Sequence, residues 1–368
     1  MLVHKSTSKQ IAMESFVKFG KSFLIVGALV VACLSGCTPP MPPEVKAALS
    51  EEVSACVADG NLTVNAPTQY QDLIQVFADD YTSECTNSMV TIVDGNSPAD
   101  ISFSDLELPT NCEIVAGGPI AYDAATLVYT QYSLSELNLK PQTLSELLAG
   151  KISDWADEKL LAENPDSGLT SAPIKLQQIT DSPALAALNT WGHQVDSTNW
   201  QDSTALKAVD SWDRDAALTA AMEENSVSVM PLSVASNNSL TTASILLAGQ
   251  TYPTVTDLAA TFAATGQLKV IDEASSVIRT VIDPNLPPSL ADGADQASQP
   301  WQALYPVNEY ICKGTQELAA RAFARFILRL NEQTQNEGYS VARVPEAIRL
   351  LTAGVIEQGL PTPSATPE

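Results

Sequence analysis

The chain is predicted to be an α/β protein. Segments with strand character alternate with segments of helical period along most of its length. Its 368 residues suffice for two domains, and no internal repeat is present.

Residues 1–36 are expected to be removed. Lys18 and Lys21 precede a thirteen-residue uncharged stretch, SFLIVGALVVACL (22–34), and small residues lead from it to Cys37. A basic flank, a short apolar core and a small-residue exit describe a secretory signal peptide. An uncleaved membrane helix is the weaker alternative, because thirteen residues fall short of the roughly 20 that span a bilayer. Met13 serves as a start as well as Met1 does. LSGC (34–37) is similar to a bacterial lipobox, which implies a diacylglycerol thioether on Cys37, cleavage before it and acylation of the new amino terminus. TPPMPPE (38–44) then forms a stiff tether, and PTPSATPE (361–368) lies in a disordered tail expected over 359–368.

Lys and Arg number 19 against 43 Asp and Glu, a formal charge of −24. Loss of Lys5, Lys9, Lys18, Lys21 and Glu14 with the signal makes the mature chain more acidic still. Such a surface repels phosphodiester backbones, so nucleic acid is not an expected partner. A small anion remains compatible, because aimed N–H and O–H donors can hold one inside an acidic protein. Cys33 lies in the signal, and beyond Cys37 remain Cys56, Cys85, Cys112 and Cys312, an even set that favours two disulfides with three pairings open. Zinc is the weaker reading without a CxxC motif, and His193 as the only mature histidine removes most histidine-based catalysis.

LTVNA (62–66) is predicted as a strand, and Tyr70, Leu73, Ile74, Phe77 and Tyr81 mark one face of the following helix. MVTIV (89–93) and PIAYDAATLVYT (119–130) are strands, and LSELLAG (144–150) is a helix closed by Gly150. APIKLQQI (172–179) is a single strand candidate, residues 191–221 a Trp- and Asp-rich helical region, and SVSVM (226–230) a short strand. Further β and α segments reach residue 270. Four prolines and little periodicity make 283–300 a surface loop, before a strand at 305–312. QELAARAFARFILRL (316–330) is a long helix expected to bury Leu318, Ala322, Phe323, Phe326, Ile327 and Leu330. Its Arg321, Arg325 and Arg329 are expected as a solvated stripe pairing with local acids.

QQITDSPALAAL (177–188) carries two readings. A helix N-terminus here could cradle an anion, or Ser182 and Pro183 could be no more than an N-cap and a first helical residue.

AGKISDW (149–155), preceded by TLSELL, resembles the "sGKItnW" segment of the phosphate-binding subunits of bacterial ABC phosphate importers, within the type II periplasmic-binding-protein superfamily. GGPIAYDAATLVYT (117–130) resembles that family's crossing strand. YPVNEYICKGTQELAARAFARFIL (305–328) resembles its return strand and helix, and GYSVARVPEAIR (338–349) its "GYvplPe" ending. The resemblance spans residues 62–349. It implies two α/β lobes joined by two crossing hinge strands, with lobe one at 45–128 and 304–358 and lobe two at 129–303. In that arrangement adjacent parallel strands bring Cys56 to Cys85, and antiparallel strands bring Cys112 to Cys312.

The resemblance also carries ligand positions. Thr68 stands where a hydroxyl after the first strand contacts the anion, and Ser97 is nearest to the serine of a glycine-rich turn. Ser104 and Asp105 match the "SD" whose carboxylate accepts a hydrogen bond from a protonated phosphate. Each has a plainer alternative, Thr68 and Ser97 as turn residues and Asp105 as a solvated loop acid. In lobe two, Thr180, Asp181 and Ser182 occupy the place of the family's "RSDGSGT" phosphate loop.

The departures weigh against tight phosphate binding. Most of the helix expected after the glycine turn is missing between Gly95 and Ala99. Ile179 replaces the loop arginine, Leu185 its final threonine, and Pro183 has no N–H to give. Each lost charge-assisted hydrogen bond costs roughly 1.5 to 3 kcal/mol. The resemblance therefore implies a lipid-anchored, extracytoplasmic, monomeric solute-binding protein without enzymatic activity or cofactor. Its partners would be an ABC permease and either phosphate or another small polar solute. The alternative is a surface lipoprotein that uses the same scaffold for partner interaction or sensing. Asp154, Asp213 and Asp215 come with no nucleophile, metal spacing or phosphate loop that would make them catalytic.

Overall fold

The computed structural model describes residues 56–361 except 94–96, 106–108, 110–111, 211, 273–274, 292–295 and 297. The signal segment 1–36, Cys37 with the tether to 44, Gly95, and residues 362–368 of the tail lie outside the described residues.

Two lobes are built along one mixed sheet. Its strands run in the order Met89–Val93, Asn61–Asn65, Ile101–Ser104, Leu304–Cys312, Ile114–Thr130, Ser226–Pro231 and Lys175–Leu176, and Ala342–Arg343 also pairs with the long strand. Asn61–Asn65 is parallel to both of its neighbours. Leu304–Cys312 runs antiparallel to Ile101–Ser104 and to Ile114–Thr130, and Ser226–Pro231 continues the sheet along the far end of the long strand. Ile114–Thr130 is seventeen residues long and almost wholly buried, so its apolar run does not alternate.

The hydrophobic core changes hands within that strand. Ile120, Ala121 and Tyr122 belong to the first core, Ala124, Ala125 and Leu127 to the second, and Asp123 stands between them. On the return strand Val307 packs in the first core and Tyr305 in the second. Helix Gln71–Glu84 lays its expected apolar face on the first core, with the Tyr81 ring 5.1 Å from Phe323 and 5.3 Å from Phe326. The second core is rich in tryptophan, and Trp191 and Trp301 have ring centres 4.7 Å apart.

Both disulfides join the cysteines that the lobe topology implies. Cys56–Cys85 ties the chain before Asn61–Asn65 to the end of the first helix, and Cys112–Cys312 closes a sequence separation of 200 residues. Helix Pro141–Leu148 ends as expected at Gly150, whose φ of 72° lets the Gly150 and Lys151 amides donate back to Leu147 and Glu146.

Several local expectations are corrected. The single strand at 172–179 is two short pieces in different sheets, Lys175–Leu176 beside Ser226–Val227 and Ile179–Asp181 beside Lys207–Val209. The helical region at 191–221 is interrupted by that same Lys207–Val209 strand, so helix Ser182–Val195 and helix Arg214–Ala221 are separate. The long C-terminal helix stops at Ile327, leaving Leu330 exposed, and Leu318 also faces solvent. Of the expected arginine stripe, Arg321 and Arg329 are buried and Arg325 is half-buried rather than solvated, although all three do pair with acids. Arg321, Arg325 and Arg329 meet Glu317, Glu357 and Glu84 at 3.0, 2.7 and 2.8 Å. For Arg321 the reason is helix Glu346–Ile356, whose terminal carbonyls at Val355 and Ile356 accept from its Nη1, and Arg329 turns instead to Glu84 at the end of the first helix.

Candidate ligand cleft

Asp123 sits in the middle of the longest strand, 1% exposed. Tyr70, from the turn before the first helix, donates to its Oδ2 at 3.0 Å. Ser233, in the first turn of helix Leu232–Asn237, donates its hydroxyl to Oδ2 and its amide to Oδ1 at 3.1 Å, and the Ala124 amide donates to Oδ1 at 2.7 Å. Burial raises the Asp123 carboxyl to about 6, and the hydrogen bonds from Ser233, Ala124 and Tyr70 oppose that rise.

Asp105 follows strand Ile101–Ser104 and is also buried, not the solvated loop acid of the plainer reading. Gln69 Nε2 donates to its Oδ2 at 2.8 Å. Burial raises it to about 7, with the charges of Asp123 and Asp210 acting in the same direction.

Asp181 approaches from the other lobe. It closes strand Ile179–Asp181 and caps helix Ser182–Val195, its carboxylate accepting from the Ala184 amide at 3.3 Å. The cap is thus Asp181, one residue earlier than Ser182, because the backbone stays extended through Asp181. Burial raises Asp181 to about 8, followed in effect by the neighbouring Asp105 and Asp123 charges.

Tyr305 completes the cluster. It lies opposite Asp123 in the antiparallel register, so both side chains stand on the same face of the sheet. Its hydroxyl, 5% exposed as a residue, lies beside Tyr70 and the three carboxylates but makes no hydrogen bond of proper geometry.

The other expected positions are placed differently. The Thr180 hydroxyl is buried and donates to the Val229 carbonyl at 2.7 Å, within its own lobe. Ser182 is half-buried in the first turn of its helix, and Ile179 is exposed. Thr68 is exposed at the rim, where its carbonyl accepts from Arg214 Nη1 of the opposite lobe at 3.4 Å. Ser97 is exposed, and its carbonyl accepts from Asn65 Nδ2 at 3.1 Å. Ser104 is half-buried at the end of its strand. The strand at Ile101 begins with no helix among the described residues 97–100.

Asp105 and Asp181 are thus brought together, while Asp123, Tyr70, Tyr305, Gln69 and Ser233 join them without having been singled out from the sequence. One signal was present: Asp123 is the only charged residue in seventeen otherwise uncharged strand residues. The three acids set aside as non-catalytic have local duties. Asp213 caps helix Arg214–Ala221, Asp215 pairs with Arg214, and Asp154 accepts from the Ala156 amide and Ser171 hydroxyl. At the mouth, a cavity of about 270 Å³ opens between Gln69, Asp72, Arg214, Asn237 and Tyr339. Asn237 donates across it to the Tyr339 carbonyl at 3.1 Å. Among the described residues no group of acids, histidines or cysteines is placed to hold a metal ion.

By sequence, the chain matches no family profile and no curated protein. Solved structures do share its fold. A high-affinity periplasmic phosphate-binding protein (PfluDING), solved with phosphate bound, is 14% identical with a TM-score of 0.57 over 80% of this chain and 93% of that one. An ancestral soluble variant of the human phosphate binding protein is 12% identical, with a TM-score of 0.55 over 79% and 92%. A phosphate binding protein from Stenotrophomonas maltophilia is 10% identical, with a TM-score of 0.51 over 80% and 94%. The chain has the two-lobed α/β fold of periplasmic phosphate-binding proteins.

Proposed function

We propose that this protein is an extracytoplasmic solute-binding protein, anchored by a lipid on Cys37, that closes its lobes on a small polar solute and delivers it to an ABC permease. The observation that carries the reading is convergence: Asp105 and Gln69 from one lobe and Asp181 and Ser233 from the other meet around Asp123, on the strand both lobes share. Hinge closure over a solute uses that arrangement, since each lobe supplies part of the wall. The shared fold, the two disulfides and the lipobox-like LSGC support the location outside the cytoplasm. The same reading makes it a monomer that carries out no chemistry and needs no cofactor.

Native mass spectrometry and calorimetry on the full chain purified in detergent test the reading. A co-purified solute, or saturable binding from a panel of phosphate, sulfate, sugars and amines, is the expected result. If none binds, the surface-interaction role takes its place, favoured by a cleft whose Thr180 and Asp181 groups already serve the protein itself. For the anchor, Cys37→Ala is expected to move the protein from the membrane fraction to the soluble one, and unchanged membrane retention would count against lipidation.

A further inference from the structure

The charge class of a solute in this cleft follows from what the walls offer. Three carboxylates arrive from three separate elements, and among the described residues no Lys, Arg or His is one of the leading charges that act on them. Arg214, which reaches across the lobes, is turned to the Thr68 carbonyl and to Asp215 at the rim. Three positions that could supply donors to an anion at the start of helix Ser182–Val195 do not offer them. The Ala184 amide is taken by Asp181, Pro183 has none, and the Thr180 hydroxyl goes to Val229.

The Tyr305 hydroxyl is the second, independent sign. Buried beside the Tyr70 hydroxyl, without a hydrogen bond of proper geometry, and facing the same side as Asp123, it is an oxygen placed next to the carboxylates. A buried hydroxyl in that condition is costly unless something arrives to satisfy it.

Resting on the solute-binding reading above, we propose that the cleft selects a small organic cation, a protonated primary amine whose ammonium is held by Asp105, Asp181 and the Tyr305 oxygen. An ammonium has three donors and no acceptor, and these three oxygens supply acceptors from both lobes. Asp123, engaged by Tyr70, Ser233 and Ala124, orients Tyr70 and adds negative potential. The rest of the solute extends past Gln69 toward the cavity at the mouth. Burial first, and the neighbouring carboxylates after it, raise the proton affinity of Asp105 and Asp181, and a cation arriving between them offsets the second of these effects.

Calorimetry on the full chain in detergent, near neutral pH, with ethanolamine, putrescine, inorganic phosphate and glycerol as separate probes, tests the proposal. An amine is expected to bind while phosphate gives no heat. Asp105→Asn and Asp181→Asn are expected to weaken the amine by about tenfold to a hundredfold each, and Tyr305→Phe by roughly tenfold. Both asparagines keep an acceptor oxygen for Gln69 or for the helix cap, and a single cooperative melting transition verifies that the variants fold. Phosphate or glycerol binding without amine binding overturns the cation and leaves the solute-binding reading standing. Amine binding that is indifferent to all three substitutions overturns the site. No heat from any probe, with no co-purified solute, overturns both.

Discussion

Tyr305 and Asp123 face each other across the two antiparallel crossing strands, at the level where one hydrophobic core gives way to the other. Asp123 at this level accepts from Tyr70 of the first lobe and from Ser233 of the second, so one carboxylate fastens both. Asp123→Ala leaves those buried donors without an acceptor and is expected to cost about 2 to 4 kcal/mol in urea unfolding. A change below about 0.5 kcal/mol would show that the lobes do not depend on it.

Acidity is expected to stabilise the empty protein. Asp105 and Asp181 are raised to about 7 and about 8 in the fold, against about 3.9 for an ordinary aspartate. A carboxyl with a raised folded value binds its proton more tightly when folded. Its stabilising contribution is complete below about pH 4 and is lost as pH climbs through the folded values. The melting temperature is therefore expected to fall between about pH 5 and pH 8. The double variant Asp105→Asn, Asp181→Asn should flatten that slope, whereas Asp166→Asn on the surface should not.

Glu309 presents a different case. It is fully buried on the return strand opposite Gly118, neither carboxylate oxygen has a partner, and burial pushes its carboxyl well above the usual range. Glu309→Met removes the unsatisfied group and is expected to stabilise the protein by about 1 to 3 kcal/mol near neutral pH. The gain should shrink toward about pH 5, as wild-type Glu309 accepts its proton at less cost. A loss of stability in calorimetric melting would show that the carboxyl serves the fold.

The two disulfides are expected to differ in effect. By loop-closure entropy, Cys112–Cys312, spanning 200 residues, contributes up to about 5 kcal/mol, and Cys56–Cys85, spanning 29, about 4 kcal/mol. Paired Cys→Ser variants compared by urea unfolding should rank in that order. The reverse order would point to residual structure in the unfolded chain.

The fold was legible where burial is one-sided or complete. The first helix shows its face because Leu73, Ile74, Phe77 and Tyr81 recur at helical spacing against a single core. The segment expected as one strand at 172–179 was not legible as two, since two-residue pairings such as Lys175–Leu176 are made by neighbouring elements and leave no period. Arg321 was misread for a related reason: charge at the back of a helix normally means water, and only the tertiary position of Glu346–Ile356 reveals the cover. In the cleft, Asp105 and Asp181 could be named from their order in the chain. Tyr70 and Tyr305 could not, because an aromatic whose ring packs in a core gives no sign that its hydroxyl faces a carboxylate.

The bond between Cys112 and Cys312 has a mechanical consequence. It joins the start of Ile114–Thr130 to the end of Leu304–Cys312, so the two crossing strands are clamped together at the base of the first lobe. They behave like the arms of tweezers sprung from a welded end. Away from that weld the pairing shifts register at Val307/Asn308, and beyond the shift Tyr305 faces Asp123. A solute beside Asp123 would therefore bear on the strands at a point removed from their welded end.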